Sequence, residues 1–317
     1  MDKIQILASF CSHAQSATIT QAWTSACATF QVATAQQVSV QPGDSASVGA
    51  GVGATPLQIV GYVDTVEYDK NKGLYVVSGR DSMRRAVDYF LAYKEDGEAE
   101  YVTVGADAAI EVKNILALAG LTASTYSLGY ALKADFPFAL ESAWDAASSI
   151  LRLGQWRAYA TGPDLVLVSD GQVTPGTPVD TFVDDETMLD VSYAVSAKDT
   201  LTKVVVTGLS EPEGEEEPEL IVAVASGGAL PWSKSAYIHR DWINSQGLAQ
   251  QIANANISLY GGLTYELQVR IVGHETRRVG DTVTVVGSGG IAGDWIIYSL
   301  TKTFSDAGAI CNYTLRK

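Results

Sequence analysis

The residues of this chain able to do chemistry are few, and their spacing is poor for it. Glu141 and Asp145 stand four apart in a stretch with helical periodicity, so they fall on one helix face beside Trp144. Paired carboxylates hydrolyse glycosides when an apolar pocket keeps one of them protonated. Here the pair is expected on the polar, solvated side of an amphipathic helix. The histidines His13, His239 and His274 are scattered, with no carboxylate or cysteine at ligand spacing nearby. A serine–histidine–aspartate site is recognised by geometry and stays open at this stage, although the chain has no G-x-S-x-G elbow. Cys11, Cys27 and Cys311 are odd in number and form no C-x-x-C pair, which argues against a disulfide framework or zinc site. Packed free thiols are expected, with a Cys11–Cys27 bridge as the alternative.

Two segments match the dinucleotide-binding pattern, Gly49-Gly51-Ala54 and Gly287-Gly289-Ala292. That chemistry requires a helix N-terminus directly after the glycines to meet the pyrophosphate. The residues that follow, LQIVGYV and DWIIYSLTKTF, read as strands. Asn256-Ile257-Ser258 and Asn312-Tyr313-Thr314 have the form of glycosylation acceptors, which matters only in a secreted chain. No catalytic, cofactor-binding or metal-ligating residue is therefore assigned, and no enzymatic activity is expected.

Bulk properties narrow the classes further. At 317 residues, with 47% hydrophobic and 18% charged side chains, the chain has globular composition and length for about two domains. Apolar runs such as Leu165–Val168 and Leu220–Ala225 are far short of the roughly 20 residues that cross a bilayer. The N-terminal MDKIQILASFCSHAQ lacks the form of a secretory signal, so assembly in a cytoplasm, or in a particle built there, is expected. The net charge of −15 opposes nonspecific binding to a phosphate backbone.

The elements change character along the chain. Residues 1–92 read as short strands: Lys3–Ser9, Ala17–Ala22, Ala28–Val32 and Val38–Val40, then a flexible loop at Pro42–Pro56. A long hairpin follows over Ile59–Asp81, turning at Asp69-Lys70-Asn71-Lys72-Gly73. Its β-branched and aromatic strands end in Ser78-Gly79-Arg80-Asp81 before a helical MRRAVDYFL, and an Arg80–Asp81 ion pair is expected to brace that corner. Residues 93–185 read as a small α+β unit. It has helices over Asp107–Ala119 and Pro137–Leu153, the latter with a stripe of Leu140, Trp144, Ala147 and Leu151, then a strand pair at Trp156–Ala160 and Leu165–Val168. From 186 to 317 the β pattern returns, with strands at Leu189–Ala194, Lys203–Gly208 and Leu220–Ala225. A helix over Asp241–Leu259 and four strands follow, at Thr264–Val272, Thr282–Val286, Asp294–Phe304 and Ile310–Leu315. The acidic run Glu211–Glu219 is expected to be a solvated hairpin tip.

Two pieces of that hairpin, Gly61-Tyr62-Val63-Asp64 and Val76-Val77-Ser78-Gly79-Arg80-Asp81, resemble the hub proteins of phage tails, including Mu-type tail hubs and baseplate hubs of contractile phages. Further similarity lies in Ala194–Thr207, in the Asp241–Leu259 helix, and in Val279–Val285 followed by Trp295-Ile296-Ile297. The N-terminal strands and the Glu-rich tip depart from that pattern.

The resemblance implies a β-rich α+β fold: two tail-tube-like β-barrel domains (1–92 and 186–317) with an inserted small α+β domain (93–185). It implies a homotrimer forming a pseudo-six-fold ring in the virion. That ring would join the tail tube protein to a central spike or tip protein among other baseplate proteins, without cofactors. Genome DNA would pass without specific binding, past an acidic lumen that repels its phosphates within a Debye length of roughly 8 Å. Two other readings stand beside it. One is a particle-associated cell-wall hydrolase using Glu141 or Asp145. The other is a carbohydrate- or receptor-binding β module with Trp156, Trp232 or Trp242 as stacking platforms.

Overall fold

Side chains that alternate in and out with period two dominate both ends of the chain, and this pattern makes strands half-buried on one face. The computed structural model describes residues 4–52, 56–103, 107–124, 132, 137–154, 156–169, 175–184, 186–210, 217–240, 243–273, 276–288 and 290–317. The first strands are β1 (Ile4–Ala8), β2 (Ser16–Ala22), β3 (Thr29–Thr34), β4 (Ser45–Val52), β5 (Leu57–Asp69) and β6 (Leu74–Asp81). The glycine- and serine-rich stretch expected to be a loop is therefore largely the strand β4. Its inward row of Ala46, Val48 and Ala50 is fully packed, and small side chains hide the alternation from a composition-based reading. Val38–Val40, expected as a strand, is irregular.

A helical part follows, with α1 (Arg84–Asp88), β7 (Phe90–Leu91), β8 (Tyr101–Val102), α2 (Ala108–Leu118), β9 (Thr122–Ser124), β10 (Pro137–Phe138), β11 (Glu141–Ser142), α3 (Ala143–Gly154), β12 (Arg157–Ala160) and β13 (Leu165–Ser169). The α3 helix starts six residues later than the sequence suggested. Pro137 and Phe138 pair with β8, and Leu140 adopts a positive φ of 62°, which no helix interior accepts. The start is set instead by a reciprocal cap. The Asp145 N–H donates to Ser142 Oγ at 3.0 Å, and the Ser142 hydroxyl donates to Asp145 Oδ2 at 2.7 Å.

The chain continues through β14 (Asp180–Val183), β15 (Met188–Ser196), β16 (Lys203–Leu209), β17 (Leu220–Ser226), β18 (Ser235–His239), α4 (Gln246–Tyr260), β19 (Thr264–Val272), β20 (Thr282–Val286), β21 (Gly293–Ser305) and β22 (Gly308–Arg316). The α4 helix begins at its cap Ser245, whose hydroxyl oxygen accepts the Leu248 N–H at 3.2 Å, and not at Asp241. Short β14 and β18 were not foreseen.

Among the described residues, twelve strands from the two ends of the chain form one sheet. Its main path runs β1-β4-β5-β6-β3-β2-β21-β22-β19-β15, and β20 joins β21 with β14 alongside it. The β2–β21 pairing, Ser16 opposite Ser305 through Ala22 opposite Ser299, splices the early strands to the late ones. A separate three-stranded sheet, β17-β16-β18, lies against α4.

Among the described residues, three apolar cores follow from this layout. One lies under the early strands around Ile19, Phe30, Val32, Val63, Val77 and Phe304. A second gathers Phe182, Leu267, Ile271, Trp295, Tyr313 and Leu315. The third joins α2 and α3 to β16, β17 and α4 through Val112, Ile115, Ile150, Val206, Ala223 and Ile252. By packing, residues 203–260 go with the helices, although in sequence they interrupt the last β region. The β-rich α+β class expected from the sequence is the class observed. Among the described residues, no helix is long and apolar enough to cross a membrane.

Candidate assembly surface

Among the described residues, those singled out for chemistry do not converge. Glu141 lies in β11 and not on the helix, so it shares no helix face with Asp145. Partial burial, then the Asp145 charge, push the Glu141 carboxyl above its ordinary range, while Arg240 opposes them. Asp145 is exposed and engaged in the α3 cap. His239 stacks on Tyr237 and lies 2.8 Å from the Thr207 hydroxyl, whereas exposed His13 uses its backbone carbonyl to accept from Thr34. Among the described residues no cluster of histidine, cysteine and carboxylate side chains could hold a metal ion.

Cys11, Cys27 and Cys311 are buried free thiols, so the alternative Cys11–Cys27 bridge is not formed. Burial, with the Asp81 charge beside it, pushes the Cys27 thiol up to about 12, far from nucleophilic use. Gly49 and Gly51 lie within β4 and lead to another strand, and Gly287 and Ala292 lie between β20 and β21. Of the tryptophans, Trp156 packs against the helical core and Trp232 is exposed. Asn256 is buried, its amide donating to the Leu153 and Ile252 carbonyls. Ala54, Gly289, His274, Trp242 and Glu211–Glu216 lie outside the described residues.

The corner at the end of the long hairpin is a folding device. Arg80 donates through Nε and Nη2 to both oxygens of Asp64, at 2.8 and 3.1 Å, and reaches Asp88 at 3.4 Å. Arg84 completes the network on the same two carboxylates at 3.0 and 2.8 Å. A bulge between Val63 and Thr65 turns Asp64 towards these guanidinium groups. The pairing expected between Arg80 and Asp81 gives way to this one, because Asp81 turns inward. Its carboxyl, 5% exposed, accepts the Ala28 N–H at 2.9 Å and the Met83 N–H at 3.1 Å. Desolvation outweighs those bonds and raises its pKa to about 6. Close backbone approach accounts for the glycines: a Cβ on Gly79 would lie 2.1 Å from the Tyr62 carbonyl oxygen, and one on Gly61 would lie 1.9 Å from that of Arg80.

The large sheet has two unlike faces. From β5 to β15 the core-facing row is apolar apart from buried groups such as Lys302, whose ammonium donates to Gln58 Oε1 at 2.8 Å, whereas register and alternation put short hydroxyls and amides on the other face. Gln31 stands opposite Ser78 and Thr18, Thr18 opposite Thr303, and Thr301 opposite Asn312. A depression of about 400 Å³ over Thr18, Thr20, Thr29, Gln31 and Arg80 lies on this face. It carries Arg80, Arg270 and Arg316 against Asp64, Glu67, Asp69, Asp190 and Glu266, a small acidic excess. Most of the excess acid of a chain of net charge −15 thus lies elsewhere.

The sheet edges also differ. The β17 edge is covered, since the Gln246 and Gln250 amides of α4 donate to the Val222 and Val224 carbonyls at 3.0 and 3.3 Å. The β15 edge pairs only with β19 among the described strands, and Leu189, Tyr193 and Val195 are 60%, 39% and 48% exposed along it. Sequence reasoning missed this strand's exposure. The available signal was MLDVSYAVS itself, nine residues without lysine, arginine or proline to guard an edge.

No protein-family model matches the chain, and no curated protein sequence does. Solved structures match over nearly all of it. The tail protein from Neisseria meningitidis MC58 superposes with a TM-score of 0.74 at 15% identity, covering 99% of this chain and 97% of that one. The 43 kDa tail protein of prophage MuSo2 from Shewanella oneidensis gives 0.70 at 14% identity, with 99% and 98% covered. An E. coli component of the type VI secretion system, described as structurally similar to the T4 bacteriophage tail proteins gp27 and gp5, gives 0.59 at 10% identity, covering 99% of this chain and 76% of that one. The chain has the fold of phage tail proteins, in line with the tail-hub resemblance of its hairpin.

Proposed function

We propose that this chain is a structural component of a phage tail or baseplate. In this reading it is a hub whose copies, as a homotrimer, close a pseudo-six-fold ring between the tail tube and a central spike or tip. The observation that carries the proposal is mutual coverage: the N. meningitidis and S. oneidensis tail proteins match end to end, with no domain left over on either side. The separation of chemistry-bearing residues favours a role in assembly over catalysis. Residues 1–92 and 186–317 would supply two tube-like β-barrel units and residues 93–185 the α+β unit, with β16–β18 and α4 packed onto the latter's helices. The virion is the corresponding location, and tube, spike and other baseplate proteins are the corresponding partners.

Passage of DNA is assigned to the polar sheet face. A lumen lined by this face would be mildly acidic, with Arg80, Arg270 and Arg316 set among Asp64, Glu67, Asp69, Asp190 and Glu266. Hydroxyls and amides without a cationic excess release few counterions from DNA, so they leave it free to slide. Multi-angle light scattering tests the ring. A particle of three times the 33.6 kDa chain mass supports it, and a monomer at every concentration contradicts it.

A further inference from the structure

The three-stranded sheet β17-β16-β18 is mainly apolar on both faces, although α4 and its neighbours cover only one. Its inward row, with Val204, Val206 and Ala223, packs into the helical core. On the outward row Leu209 stands opposite Leu220, and Val205 stands between Val224 and Tyr237. Leu220, Val222, Val224 and Tyr237 are 63%, 43%, 42% and 67% exposed. The β17 strand is apolar at every position from Leu220 to Ala225, the composition of a strand covered from both sides. Thr207, in the middle of the face, makes no demand on a partner. Its hydroxyl lies 2.9 Å from the Tyr237 hydroxyl and 2.8 Å from His239 Nδ1.

Size and charge decide what fits this face. Three strands span two spacings of about 4.8 Å, so the face is about 10 Å wide, the width of one α-helix. The opposite face is covered in that way, by the single helix α4. From Lys203 to Leu209 the lane is about 20 Å long, which matches about 13 helical residues. Among the described residues, Lys203 is the one formal charge at the outward positions of these strands. Lys234 adjoins it, its carbonyl accepting the Lys203 N–H at 3.3 Å. At the other end Ser210 continues the hairpin by donating its N–H to the Glu219 carbonyl at 2.8 Å, and Glu217 and Glu219 are exposed there. Arg240, also at that end, turns back on the chain, with Nη1 donating to the His239 carbonyl at 2.7 Å. The lane is therefore positive at one end and negative at the other. We propose that it seats one amphipathic helix of a partner protein, running from the Lys203 end towards Glu219. Direction follows from the helix dipole. Acids are favoured in a first turn and bases in a last turn, which sets them over Lys203 and beside Glu217 and Glu219. The apolar stripe of that helix completes a layer equivalent to α4. The inference goes beyond the ring reading and does not depend on it.

The test is fluorescence anisotropy on the full chain with a labelled peptide of about 14 residues. The peptide carries one leucine stripe, glutamates in its first turn and lysines in its last. It should bind saturably, one per chain. Leu220→Asp should weaken binding about tenfold or more, and Val224→Asp likewise, so one variant decides if the other misfolds by circular dichroism. Leu57→Asp, at a 56% exposed position on β5 outside the face, should leave binding unchanged. A peptide with its charged ends exchanged should bind about threefold or more weakly, and Lys203→Glu should erase that preference. Absence of saturable binding, or binding indifferent to both Leu220→Asp and Val224→Asp, overturns the proposal. Equal binding of the two peptides overturns the assigned direction. An oligomer of the purified chain that Leu220→Asp disperses also overturns it, by giving the face to a second copy. A wild-type monomer that binds the peptide as described supports this site while overturning only the ring.

Discussion

Replacing Asp81 by asparagine separates two effects acting on one buried carboxyl. Two backbone N–H groups favour the charged form, while burial at 5% exposure penalises it. Burial wins, raising the pKa from 3.8 to about 6. The fold therefore binds this proton more tightly than the unfolded chain does. The resulting stabilisation is complete below the ordinary carboxyl range and is lost as pH rises through about 6. A shift in that direction makes the fold lose stability on the order of 1 kcal/mol between pH 5 and pH 8. Asparagine does not titrate, and its NH₂ group faces one of the two N–H donors, costing about 1–3 kcal/mol at low pH. The penalty of Asp81→Asn should therefore shrink by about 1 kcal/mol from pH 5 to pH 8. Urea denaturation at four pH values and one protein concentration measures it. A penalty that is constant or grows with pH would refute the reasoning, because it would mean that the N–H bonds outweigh burial and the carboxylate is charged throughout.

Gly79→Ala should destabilise the fold by about 2 kcal/mol or more in thermal denaturation, since its Cβ would meet a carbonyl oxygen at 2.1 Å and the Phe30 ring at 2.6 Å; an unchanged melting temperature would show that β5 and β6 separate easily. A double-mutant cycle on Asp64→Ala and Arg80→Ala should give a coupling of about 1 kcal/mol, modest because both side chains are about a quarter exposed. Ser245→Ala should cost about 1 kcal/mol through loss of the α4 cap. Thiol labelling at pH 8 should be slow in the folded chain and count three cysteines only after denaturation, because burial keeps Cys27 protonated.

Much of the fold was legible where alternation is strong. The Leu57–Asp69 and Leu74–Asp81 hairpin, the Lys203–Leu209 and Leu220–Ser226 strands and the C-terminal strands all appear near their expected limits. What failed did so for local reasons. In β4 the inward side chains are alanine and valine between glycines and serines, so composition suggested a loop where packing made a strand. At α3 the apolar stripe extended past a residue with positive φ, and Ser142-x-x-Asp145 marked the true start.

At the Arg80 corner, adjacency suggested a pair with Asp81, but successive strand residues point to opposite faces. Asp64 and Asp88, distant in sequence, are the partners. The open edge of β15 was unreadable in advance, because exposure there depends on which strand ends the sheet. The hub resemblance was legible in Gly61–Asp64 and Val76–Asp81 because those residues fix a geometry: two close backbone approaches, one guanidinium fork and one buried carboxyl.

Electron microscopy of the purified chain most directly tests whether it exists to be built into a channel. Class averages should show closed rings of pseudo-six-fold outline, with Thr18, Gln31, Thr301 and Asn312 facing the hole and the α2–α3 layer outside. Single globular particles, or rings with the helices lining the hole, would contradict the account.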